Sequence, residues 1–128
     1  MEKKVLTLSV KKEWFSRILS GEKKEEYREI KEYWVARLFY DRFGKLPPKM
    51  VKELTDSIIK HGDTTHFESE NSIEVSCVPF THVLFVNGYG DDKPRVEKEI
   101  ESISIGKPRK GWCPDDFLDK EYFVIKLK

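Results

Sequence analysis

The sequence predicts a single α+β domain in which a mostly antiparallel, barrel-like sheet is flanked by helices. Segments with the two-residue period of strands crowd the second half of the chain, and amphipathic segments of helical period fill much of the first. The 128 residues, 38% hydrophobic and 37% charged, supply apolar side chains for one core under a densely charged surface, which excludes disorder as the main state.

The elements follow in order. VLTLSV, residues 5–10, is β-branched and apolar, the pattern of a buried strand. Ser9 can then cap a helix whose apolar positions Trp14, Phe15, Ile18 and Leu19 recur at helical spacing, and Gly21 stands where a left-handed cap would stop it. In residues 24–30, KEEYREI, Glu26, Arg28 and Ile30 alternate with Glu25, Tyr27 and Glu29, which predicts a strand. Residues 32–43 put Trp34, Val35, Leu38, Phe39 and Phe43 on one helical stripe that Gly44 can end, and amphipathicity alone places Trp34, Leu38 and Phe39 in the core. Pro47 and Pro48 suit the first turn of a third helix carrying Met50, Val51, Leu54, Ile58 and Ile59 up to Gly62. Residues 63–72 read as a polar loop. Strand periodicity returns in residues 73–78, 81–87 (closed by an Asn87-Gly88 turn), 96–105 and 122–127.

A net charge of +1 provides no global field to gather nucleic acid, so any such binding is local. No apolar run approaches the roughly 20 residues of a membrane helix, and MEKKVLTLSV lacks the apolar stretch of a signal peptide. With two cysteines, too few for a disulfide scaffold, the expectation is a cytoplasmic protein with no membrane partner.

The most specific local signal is GEKKEEYR, residues 21–28: a helix-stopping glycine, Lys23, then Glu26 and Arg28 two apart on a strand and so on the same face. If that face lines a cavity, the lysine and arginine can hold a phosphate or a base carbonyl, while the carboxylate accepts from an exocyclic amine or moves a proton. The plain alternative is a solvated charge run that protects an edge strand from aggregation.

G-x-K-x-x-E-x-R after an amphipathic helix resembles the signature of the ASCH domain, a small β-barrel of the PUA-like superfamily; the matching residues are Gly21, Lys23, Glu26 and Arg28. The chain is also similar to ASCH proteins in LTLSVKKEWFSRILSG, EYREIKEYWVARL, FVNGYG and YFVIKLK, with residues 44–72 reading as a helical insertion into a minimal ASCH core. The resemblance implies a barrel whose cleft holds the motif residues and binds RNA or a nucleotide. It also implies an alternative, a hydrolase of acylated nucleosides or RNA with Lys23 and Glu26 catalytic. In the family's acetylcytidine-deacetylating branch, Lys23 matches the catalytic lysine, whereas Glu26 stands where those enzymes carry threonine.

Asn87 and Tyr89, in the glycine-rich strand end NGYG, are further candidates for touching ligand, since such an end exposes backbone N–H groups. Trp112, with Lys107, Arg109 and Lys110 near it, is a candidate stacking platform for a base, or else a lid over the core. His61, His66, His82, Cys77 and Cys113 fit no zinc spacing, so neither metal nor cofactor is expected.

Overall fold

A computed structural model describes residues 2–67, 73–88 and 92–128. The elements run β1 (Val5–Val10), α1 (Lys12–Ser20), β2 (Glu25–Arg28), α2 (Glu32–Leu38), β3 (Phe39–Asp41), β4 (Gly44–Lys45), α3 (Pro48–His61), β5 (Ser76–Cys77), β6 (His82–Asn87), β7 (Arg95–Gly106), a 3-10 turn at Asp115–Phe117 and β8 (Tyr122–Leu127). The fold is α+β, with a five-stranded sheet ordered β1-β6-β7-β8-β2 and a three-stranded sheet ordered β4-β3-β5. In the larger sheet β1 and β6 run parallel and the other pairs are antiparallel.

The sequence leads to a barrel, but β1 and β2 end the sheet and no ladder joins them among the described residues. Barrel closure depends on strand tilt and stagger, which no local pattern encodes. The two free edges nevertheless approach each other closely enough for the Arg28 guanidinium to cross between them.

Local chemistry explains most boundaries and moves two of them. Gly21 adopts φ 86° and its N–H bonds the Ile18 carbonyl, so it stops α1 as expected. The helix begins later than Ser9, which lies in β1; Lys11 precedes its first turn without a side-chain cap. Leu19 projects into solvent, 55% exposed. The second helix ends at Leu38, five residues before Phe43, because Phe39–Asp41 extends and pairs with both β4 and β5. Phe39 and Asp41 are buried while Tyr40 is more exposed, a period of two that the helical stripe concealed. Phe43 is consequently at a hairpin tip, 73% exposed. Of residues 73–78 only Ser76–Cys77 forms strand. No helix among the described residues is long and apolar enough to cross a membrane.

The core is built from Leu6 and Leu8 of β1, Phe15 and Ile18 of α1, Val35 and Leu38 of α2, and the inward positions of β6 to β8. Val51, Leu54 and Ile58 of α3 belong to the same cluster, so the segment read as an insertion shares the core. Ile59, one step around the helix, is 63% exposed. A smaller cluster of Tyr27, Cys113, Tyr122 and Val124 lies under the loop after β7.

Candidate functional site

As an end strand, β2 pairs only with β8 among the described residues, and Lys24 already turns its carbonyl toward Leu127. Successive residues of a strand aim their backbone groups to opposite sides, so Glu25 and Tyr27 present theirs at the free edge. The motif side chains occupy three of those groups. Lys23 Nζ donates to the Glu25 carbonyl at 2.5 Å, the Tyr27 N–H donates to Glu26 Oε1 at 3.0 Å, and Arg28 Nη1 donates to the Tyr27 carbonyl at 2.8 Å. Arg28 Nη2 reaches across to the Ser9 carbonyl of β1 at 2.9 Å. Side chains thus stand in for the missing strand.

The charges are coupled. Arg28 Nη1 lies 3.1 Å from Glu26 Oε2, and Lys23 Nζ lies 3.4 Å from Glu26 Oε1. Glu26 and Arg28, which their two-residue spacing puts on one strand face, therefore pair, and Lys23 extends the pair to a triad. Lys23 is 1% exposed; its ammonium also donates to the Trp112 carbonyl at 2.5 Å and sits over the Tyr27 ring. Burial pulls its proton affinity below the ordinary lysine value, with the Glu26 carboxylate opposing that shift.

Between the two sheet edges opens a cleft of about 870 Å³. Thr7, Ser9 and Val10 form one side and Glu26, Tyr27 and Arg28 the other, while the loop after β7 supplies Trp112, Cys113 and Pro114. All three tryptophans of the chain, Trp14 of α1, Trp34 of α2 and Trp112, line it half-buried. Each has a guanidinium over its ring: Arg17 on Trp14, Arg28 and Arg37 on Trp34, Arg109 on Trp112. Lys11 and Arg37 also line the cleft, and neither has a carboxylate partner among the described residues.

Of the residues singled out in the sequence, Glu26, Arg28 and Trp112 meet at this cleft. Lys23 lies behind its wall, and Gly21 is the exposed cap of α1. Asn87 donates from Nδ2 to the Val10 carbonyl at 3.2 Å, fastening the end of β1, and does not line the cleft. Tyr89 is outside the described residues. Trp34, assigned to the core by helical periodicity, packs against the core with one side and lines the cleft with another. Trp14, Lys11 and Arg37 were not among the sequence candidates; the signal that could have found them is their place on the two helices that flank the motif strand, at Lys11–Trp14 and Trp34–Arg37.

What fold and site define together is an α+β domain whose curled, open sheet carries an aromatic cleft along its seam. No family model matches the chain, and no curated protein and no solved structure matches it.

Proposed function

We propose that the chain is an ASCH-like, PUA-related domain that binds RNA or a nucleotide, taking a nucleobase into the seam cleft, in a cytoplasmic setting. The observation that carries this reading is the convergence of all three tryptophans, half-buried, on one cleft. Indole rings are the strongest stacking surfaces for bases, and leaving them at a cleft forgoes their burial in a core. A volume of about 870 Å³ accommodates a nucleotide. Lys11 and Arg37 add positive charge for a phosphate, and the Glu26–Arg28 pair offers an acceptor and donors at the seam. The rival reading, a hydrolase with Lys23 as nucleophile, has less support: the Lys23 ammonium is engaged by two carbonyls and a carboxylate behind the cleft wall.

Because every tryptophan lines the cleft, intrinsic fluorescence reports on its occupancy. Titration with nucleoside monophosphates and a short oligouridylate should quench the emission, with affinity falling as salt rises. Absence of quenching at low salt for all of them overturns the reading. Turnover of acetylcytidine that Lys23→Ala abolishes would replace it with the hydrolase.

A further inference from the structure

The free edge of β1 differs from that of β2 in what satisfies it. His82 donates its N–H to the Lys4 carbonyl, and the parallel register Leu6↔Val83, Leu8↔Phe85 continues from there, so the even-numbered residues of β1 spend their backbone groups on β6. The odd-numbered residues face the other way, as the bond from Arg28 to the Ser9 carbonyl confirms. Thr7 therefore turns both its N–H and its carbonyl into the seam, where neither a ladder nor a side chain among the described residues meets them.

We propose that the Thr7 backbone is the element that reads the hydrogen-bonding edge of the bound base, so that the ligand class is nucleotides with an unsubstituted Watson–Crick edge. The inference rests on the nucleobase reading of the cleft. A peptide N–H and carbonyl on the same side of one extended residue form a neighbouring donor and acceptor. Uracil and guanine answer with a ring N–H beside a carbonyl; adenine and cytosine answer with a ring nitrogen beside an exocyclic amine. All four bases fit this pair, which suits a site that stacks bases with little sequence preference. A methyl group on the ring nitrogen of that edge removes the partner and adds bulk against the strand. The opposite wall cannot make this contact, because Lys23 already occupies the Glu25 carbonyl and Glu26 and Arg28 occupy both backbone groups of Tyr27.

The test compares uridine and guanosine monophosphates with their N3-methyl and N1-methyl counterparts by tryptophan quenching of the intact protein. The expected result is a loss of at least about tenfold in affinity on methylation, the scale of a lost hydrogen-bond pair in a site built for it. Ribose 2′-O-methylation should leave affinity unchanged. If the edge-methylated nucleotides bind as well as the parents, the Thr7 proposal falls while base binding in the cleft stands; if no nucleotide binds, both fall. Thr7→Pro gives a protein-side arm, since it deletes an N–H that β6 does not use. It removes the donor that meets the base carbonyl while keeping the Thr7 carbonyl, so the parent nucleotides should bind at least about tenfold more weakly; parent affinity retained in a folded Thr7→Pro variant would overturn the proposal.

Discussion

At Arg28 one guanidinium meets the Glu26 carboxylate, the Tyr27 and Ser9 carbonyls and the face of Trp34, with its side chain 16% exposed and that of Glu26 9% exposed. Removing one partner of a buried pair costs about 3–5 kcal/mol, against about 0–1 for an exposed one. Arg28→Ala should therefore lower the urea-unfolding free energy by about 3 kcal/mol, the low end, because Lys23 remains beside Glu26. Arg28→Lys should recover only part of this, since an ammonium lacks the fork that spans two carbonyls. An unchanged urea midpoint in Arg28→Ala would contradict the seam bridge. Lys23, enclosed by carbonyls, should be the last lysine modified by an acylating reagent in the folded state, read by mass spectrometry of digested samples. The Glu26–Arg28 pairing was legible in the two-residue spacing. The enclosure of Lys23 was not, because lysine is almost never fully buried and its acceptors include the carbonyl of Trp112, 89 residues away.

Three contacts fix the loop that brings Trp112 to the cleft: Arg17 donates to the Gly111 carbonyl at 2.7 Å, Lys23 to that of Trp112, and the Arg109 N–H to the Tyr27 hydroxyl at 3.0 Å. Burial holds the Tyr27 hydroxyl protonated above the ordinary tyrosine value, and the nearby Glu25 carboxylate reinforces the shift. Tyr122 is shifted the same way by burial. An acid whose folded affinity for its proton exceeds the unfolded one stabilises the fold by no added amount below the unfolded pKa. Stability then declines with rising pH above about 10, where the unfolded chain ionises first. Absorbance titration should show Tyr27 and Tyr122 ionising late, and Tyr27→Phe should flatten the alkaline loss of stability. In α3, Leu54→Ala should cost about 2–5 kcal/mol in the same urea experiment, because Leu54 is 1% exposed in the shared core. Strands β1, β6, β7 and β8 were legible because alternation and β-branching agree there. The end of α2 was not: Leu38 and Phe39 are apolar under either period, and pairing with β5, whose partner residues lie some 37 positions further on, decides between them.

Across the whole molecule, protection follows sheet order. Strands β6, β7 and β8 have neighbours on both sides, whereas β4 and β5 are two-residue strands at the edges of the smaller sheet. Hydrogen exchange should be slowest in β6 and β8 and fast in β4 and β5, with β1 and β2 between. Uniform protection of both sheets would refute that hierarchy. The α+β class was legible in the separation of helical and strand periods, while the open seam was not, since it depends on where the first and second strands end up relative to each other, a long-range outcome. That seam has two walls written in different alphabets. On the β2 side, contacts belong to the side chains of Lys23, Glu26 and Arg28, and a substitution there rewrites them. On the β1 side, the Thr7 donor and acceptor belong to the peptide group, which every residue but proline supplies. Homologous clefts of this design would diverge along one wall and keep the other, so their ligands should vary in shape and charge around an unvarying edge.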